Sequence, residues 1–352
     1  MANWLAILLR INSSAASRFE DSKEAFPLST ASEHHSLLSW ARLVRLPAVF
    51  TVIAQVAAAF LLIAGSVQPA ARFVLIILSA IALYWSGMII NDCWDFEEDV
   101  RERPTRPLPS GQVPLRAAKL AAWGLMVAGV LLAALSGLVP ADDFGQTLCP
   151  ALVALAISIC VLLYNGPLKQ TLLAPLTMGM CRLLCFLLGA APLVMVQLGN
   201  VGNLANGFPP HVVAAAVGMG VYIMGITLIS QSETVGGHQV PLAVGTLVMT
   251  LGAVGMALAP EFAPAGMLWN ALPPKRFPLL IGLIASTIIV RGLRVSLNPE
   301  VPAIQSLVRI GILTLIPFAA AFALLAAGPL AALATFALVI PAILTAARIR
   351  VT

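Results

Sequence analysis

Residues Asn91–Gly111 read NDCWDFEEDVRERPTRPLPSG, the densest run of charge in a chain otherwise suited to hydrocarbon. The run begins where a long apolar stretch ends. Taken as helix from Asn91 to Glu102, a period of 3.6 residues gathers Asn91, Asp95, Glu98, Asp99 and Glu102 into one arc of about a third of the circumference, with Asp92 at its edge. Cys93 and Phe96 then face away. Carboxylates crowded in this way repel one another unless positive charge sits between them. Two sources of that charge are open. One is a divalent cation, for which magnesium is suited because it takes oxygen from one or two carboxylates together with substrate phosphates. The other is Arg101, Arg103 and Arg106, acting as surface ion pairs in a solvated loop.

Outward from this stretch, 60% of the 352 residues are hydrophobic, only 10% are charged, and the mean hydropathy is +0.96. Soluble domains carry about a quarter charged residues. The chain therefore reads as a polytopic membrane protein, all-α because a helix satisfies its own backbone in lipid. Apolar runs fall at about 48–66, 71–91, 115–138, 148–164, 172–197, 211–230, 239–258, 277–296, 304–326 and 329–347, each close to the length that crosses a bilayer. The last run reads either as a span or, because of Pro329 and Pro341, as a broken or hairpin element. With ten spans, one side collects Arg10, Arg18, Lys23, Arg42, Arg45, the cluster from Arg101 to Lys119, Lys169, Arg291, Arg294, Arg309, Arg348 and Arg350. The other side has Arg72, Lys275 and Arg276. The positive-inside rule then turns both termini and the acidic stretch toward the cytoplasm. Residues 1–40 read as a polar or surface-lying lead-in, and 41–352 as one transmembrane domain.

The formal charge of +5 does not indicate a nucleic-acid partner, because the basic residues form no stripe with interleaved aromatics. The five cysteines include no C-x-x-C pair and no histidines at zinc spacing, so neither a zinc site nor a disulfide framework is expected.

The pattern N-D-x-x-D-x-x-x-D at Asn91, Asp92, Asp95 and Asp99, followed by R-P-L-P-S-G at Arg106–Gly111, closely resembles the first aspartate-rich motif of the UbiA superfamily of membrane prenyltransferases. The resemblance implies a bundle of nine transmembrane helices around a central cavity that opens sideways to lipid, so that the ten runs counted above give nine to ten helices, the extra one a departure from the family or a miscount by one. It implies Mg2+ on Asp92, Asp95 and Asp99, supported by Asn91. It further implies an isoprenyl diphosphate donor with its tail in the cavity, and a small hydrophobic or aromatic acceptor.

A second stretch, LYNGPLK at Leu163–Lys169, closes the fourth span. Pro167 ends the helix and leaves Lys169 able to reach back as a point charge toward a phosphate. A snorkelling lysine beside an interfacial tyrosine is the bland alternative. UbiA-family proteins carry a tyrosine and a lysine here that are implicated in diphosphate binding, which assigns that role to Tyr164 and Lys169. The lysine here is five residues after the tyrosine, where many members have four. Arg182 lies near mid-depth in its span, where a charge is costly and should face a cavity or a partner. Gln55 and Gln231 are polar enough to line the same cavity or to hydrogen-bond between helices. Arg45, before Leu46 and Pro47, is similar to the family's arginine-containing entry to the first span, and Arg106 and Glu233 complete the expected substrate contacts.

The stretch GITLISQSETVGGHQV at Gly225–Val240 departs from the family. UbiA enzymes place a second aspartate-rich motif there, holding a second magnesium. This chain has Ser230, Gln231, Ser232, Glu233 and His238 instead, and its only carboxylate is Glu233. A loss of this kind is similar to a divergent, EboC-like branch. Two functions follow as expectations: a Mg2+-dependent prenyltransferase in a bacterial inner membrane, its site facing the cytoplasm, or a non-catalytic membrane protein that binds or moves an isoprenoid or aromatic metabolite. A phospholipid-type alcohol phosphotransferase is disfavoured, because the residues before Asp95 read SGMIINDCW and lack the D-G-x-x-A-R run.

Overall fold

The structure, a computed structural model, describes residues 30–194, 207–235, 239–265, 267, 269 and 271–349, with the side chains of residues 30–36 and 233–235 outside that description. The chain separates into Met1–Leu37 and Leu38–Thr352.

The helices in chain order are α1 (Thr30–Leu43), α2 (Leu46–Ala64), α3 (Ala70–Trp94), α4 (Phe96–Glu102), α5 (Leu115–Leu138), α6 (Cys149–Asn165) and α7 (Ala174–Ala190). They continue with α8 (Pro210–Val235), α9 (Gln239–Leu258), α10 (Phe277–Leu297), α11 (Val301–Leu313), α12 (Leu315–Ala327), α13 (Pro329–Ala337) and α14 (Val339–Arg348). Among the described residues, nine spans are long and apolar enough to cross a membrane, counting α11 with α12 and α13 with α14 as one each. The tenth apolar element, α6, has 17 residues, about 25 Å of helix against a hydrocarbon core of about 30 Å. The ten apolar runs of the sequence thus each become one element of an integral, multi-pass bundle.

Two of these elements are interrupted, and proline explains both breaks. Pro317 has no N–H to offer the carbonyl of Leu313, and the chain restarts as α12 after Thr314. Pro341 does the same to Ala337, so the last span divides at Leu338.

Neighbouring helices follow one another around the bundle from α3 through α5, α6, α7, α8, α9 and α10 to α11 and α12, and α2 packs against α3, α7 and α12. In lipid, helices gain little from burying apolar area against one another, so close approach through small side chains does the packing. Buried Ala54, Ala57, Ala58 and Ala59 give α2 such a surface. Gly189 of α7 faces it: a Cβ there would lie 2.2 Å from the Val56 carbonyl oxygen.

Arg72 corrects a reading from sequence. Expected as a surface charge that sets topology, it is fully buried at the start of α3. Its Nε donates to the Val139 carbonyl at 2.8 Å. Its Nη1 donates to Gly145 and Pro192 at 3.0 and 2.6 Å, and its Nη2 donates to Phe144 at 3.0 Å. Four carbonyl dipoles take the place of a carboxylate, and the guanidinium ties together the bundle end opposite the acidic stretch.

At the acidic end a small apolar cluster of Leu43, Ile89, Ile90, Leu108, Val113, Ala118, Ala122 and Met126 holds residues 103–114 against α3 and α5, with Cys93 and Phe96 packed on it. The R-P-L-P-S-G segment is therefore anchored by Leu108. It turns through Gly111, whose φ of +72° suits glycine.

Candidate active site

The helix expected from Asn91 to Glu102 is broken. Helix α3 stops at Trp94, Asp95 takes φ −80° and ψ 2°, and α4 restarts at Phe96. The single arc of acids consequently divides in two. Glu98 and Glu102 are exposed and take no part in either group.

The first group is Asn91, Asp92 and Asp95. The Asn91 amide donates from Nδ2 to Asp92 Oδ1 and to Asp95 Oδ2, both at 3.2 Å, so two carboxylates converge on one nitrogen. Two cations approach them from other elements. Lys169 Nζ, in the turn after α6, contacts both Asp95 carboxylate oxygens and donates to Asn91 Oδ1 at 3.3 Å. Arg45 Nη2, at the start of α2, lies 3.5 Å from Asp92 Oδ1. Arg45 itself has φ 47° and ψ 54°, a left-handed backbone costing about 1–2 kcal/mol for a residue with a Cβ. That conformation places its side chain over the acids.

The second group is Asp99, whose side chain is 3% exposed. Arg106 Nη1 donates to its Oδ2 at 2.7 Å, and Arg103 lies 3.9 Å from its Oδ1. Asp99 is thereby turned into the R-P-L-P-S-G loop and does not join Asp92 and Asp95. Among the described residues no three His, Cys, Asp or Glu side chains gather closely enough to hold a metal. The donor set that fits magnesium is Asp92 with Asp95, two carboxylates held together by an amide, which leaves other positions to substrate phosphate.

Directly beneath lies a cavity of about 150 Å³, open on one side, between α2, α3, α6 and α7. Arg45, Tyr84, Asn91, Tyr164, Asn165 and Arg182 line it, and most of the remaining wall is apolar. Arg182, without a carboxylate partner among the described residues, donates from Nη1 to Gln55 Oε1 at 2.9 Å and Thr51 Oγ1 at 3.3 Å. Gln55 thus holds Arg182 from behind, while Gln231 is exposed. Arg106 does not line the cavity. The side chain of Glu233, and His238 as a whole, lie outside the described residues.

Two wall residues were missed in the sequence. Tyr84 lies seven residues, two helical turns, before Asn91, so counting back from the motif along one helix face would have found it. Asn165, 6% exposed, donates from Nδ2 to the Val161 carbonyl at 2.9 Å, which fixes the amide's orientation and leaves Oδ1 without a donor. No spacing rule signals it.

The profile of the UbiA prenyltransferase family matches residues 51–300. The chain belongs to the UbiA prenyltransferase family. The match contains the acids, Lys169 and Arg182, whereas Arg45 precedes it. A digeranylgeranylglyceryl phosphate synthase of Metallosphaera sedula is 41% identical over 85 residues, which are 24% of this chain and 26% of that protein. The chain thus spans about a quarter of the length of that curated relative.

Solved structures of UbiA proteins share the fold over most of the chain. One of a digeranylgeranylglyceryl phosphate synthase aligns with a TM-score of 0.57 at 16% identity, over 83% of this chain and 99% of its own. A UbiA homologue from Archaeoglobus fulgidus, bound to DMAPP and Mg2+, aligns at 0.50 with 14% identity, over 85% and 99%.

Proposed function

We propose that this chain is a Mg2+-dependent intramembrane prenyltransferase that moves an isoprenyl group from an allylic diphosphate to an aromatic or related acceptor. The observation that carries the reading is the pair Asp92 and Asp95, held on Asn91 beside Lys169 and Arg45, at the mouth of an apolar cavity. A bound diphosphate and Mg2+ in the Archaeoglobus fulgidus homologue support it.

Asp92 and Asp95 are the residues to hold magnesium, which when bound neutralises charge on the leaving diphosphate. Lys169 and Arg45 present N–H donors to the same phosphate oxygens. As the allylic C–O bond breaks, its electron pair leaves with the diphosphate, and donors already in place stabilise that charge without reorganising. The apolar wall keeps water from the allylic cation until the acceptor's electron pair forms the new bond, and the proton the acceptor then loses passes to the released diphosphate. Tyr164 and Arg182 line the same cavity, Tyr164 near the diphosphate end, and Asn165 Oδ1, without a donor, is available to accept a hydrogen bond from a bound molecule. Asp99 and Arg106 brace the loop above. The bundle end bearing Arg45, Lys169, Arg291, Arg294, Arg309 and Arg348 faces the cytoplasm of a bacterial inner membrane, by the positive-inside rule.

Asp95→Asn, which keeps shape and removes charge, is expected to abolish pyrophosphate release in purified membranes, and undiminished turnover would reject the assignment. The absence of aspartate from Gly225–Val240 favours a second reading, that of a binding protein without catalysis. Incubation with labelled geranylgeranyl diphosphate, magnesium and a panel of acceptors separates the two. Tight binding without pyrophosphate release would support the second.

A further inference from the structure

Away from the central cavity, a groove of about 570 Å³ runs between α10 and α11. Arg291 and Arg294 line one wall, with Val290 and Thr287 beyond them, and Ser306 and Leu307 form the facing wall. Both arginines are exposed, and the ion pairs of the described residues involve Arg45, Arg103, Arg106 and Lys169, so among the described residues neither Arg291 nor Arg294 has a carboxylate partner.

Depth makes the missing partner informative. The span Pro274–Leu297 has 24 residues, about 36 Å of helix, which exceeds a hydrocarbon core of about 30 Å by some 3 Å at each end. Arg291 lies six residues before Leu297, so with the span upright and centred in the core its backbone lies about 6 Å inside the hydrocarbon boundary. A lysine or arginine at such a depth ordinarily snorkels outward. Here the Cα–Cβ bond tilts toward the helix N-terminus, which is the far end of the span, so an outward path for the Arg291 side chain runs against that tilt.

Below the guanidinium groups the wall is uncharged. Ser286 Oγ donates to the Leu283 carbonyl at 2.8 Å and Thr287 Oγ1 to the Ile284 carbonyl at 3.0 Å, so both protons are committed to their own helix. This is a surface for an acyl chain, and two arginines one turn apart above it match a phosphate, which guanidinium binds through paired N–H bonds.

We propose that the α10–α11 groove is a binding site for an anionic phospholipid, its phosphate on Arg291 and Arg294 and one chain along Val290, Thr287 and Leu307. The site is separate from the acidic motif and does not depend on the chain's being a prenyltransferase.

The test is retention of 1-palmitoyl-2-oleoyl phosphatidylglycerol against its phosphatidylcholine counterpart by the full chain, read by native mass spectrometry from mixed nanodiscs. The wild type is expected to favour the anionic lipid by about thirtyfold, from charge-assisted contacts of two guanidinium groups with one phosphate. Arg291→Gln with Arg294→Gln should bring the ratio close to one. Arg116→Gln with Arg348→Gln, which removes equal charge from the same bundle end outside the groove, should leave it unchanged. An Arg291→Lys, Arg294→Lys variant, which retains the charge, should keep most of the preference and so excludes misfolding as the cause. Equal losses in the two glutamine pairs, no preference in the wild type, or displacement of the lipid by millimolar inorganic phosphate would each overturn the proposal.

Discussion

Replacing Lys169 with methionine is expected to move metal binding and turnover in opposite directions. In the structure Lys169 sits on the Asp95 carboxylate, where a divalent cation bound by Asp92 and Asp95 would otherwise lie. The two side chains are 29% and 18% exposed, so the pair is partly screened. Unit charges about 4 Å apart interact by about 4 kcal/mol at an effective dielectric of 20 and about 1 kcal/mol in water. With some screening, about 1–2 kcal/mol of competition against magnesium is removed with the lysine. At 1.4 kcal/mol per decade, Mg2+ should bind roughly five- to thirtyfold more tightly in the absence of diphosphate. Turnover should nevertheless fall by about a hundredfold, since a donor to the leaving group is gone. The assay is the Mg2+ concentration dependence of thermal unfolding, whose stabilisation follows the ratio of ion to dissociation constant. Unchanged or weaker Mg2+ affinity in Lys169→Met would refute the idea that lysine and metal share one carboxylate.

Other substitutions separate the roles of neighbouring groups. Asp99→Asn should destabilise the chain by about 3 kcal/mol, because Arg106 is left without its buried partner, yet leave the Mg2+ dissociation constant within about twofold. Thermal unfolding with and without Mg2+ reads both. Gly189→Ala would bring a methyl group within 2.2 Å of the Val56 carbonyl, so α7 and α2 should part and Arg182 should lose Gln55. A cost of about 1–3 kcal/mol is expected from such overpacking, measured by unfolding in detergent. Arg72→Lys should be nearly as destabilising as Arg72→Ala, since one ammonium cannot reproduce the planar fork that reaches four carbonyls.

The bundle was legible because composition and proline placement act locally. Ten apolar runs predict ten elements, and Pro341 marks the break that the structure has at Leu338. The acids were legible as a group because they crowd within nine residues. Their division was not, since Asp95 at the break is met by Lys169, which is distant in sequence, and Asp99 by the loop anchored by Leu108. The same reason hid the true partner of Asp99: a helical wheel carries no information about Arg106 folding back seven residues later. Arg182 was recognised as a charge needing a partner, and Gln55 as a polar group in the membrane, but their pairing joins α2 to α7 and has no sequence period. Arg72 misled because the positive-inside rule counts charges near span ends, and the four carbonyls that bury it come from other segments.

The most direct measurement is the position of a divalent ion in crystals of the full chain grown with Mn2+ and a thiolo analogue of geranylgeranyl diphosphate, located by anomalous scattering. The account predicts a peak at metal–oxygen bonding distance, about 2.1–2.2 Å, from carboxylates of Asp92 and Asp95. Lys169 should have moved onto the diphosphate, with Asp99 still on Arg106. An ion bound elsewhere, or a diphosphate seated with Asp95 still held by Lys169, would contradict it.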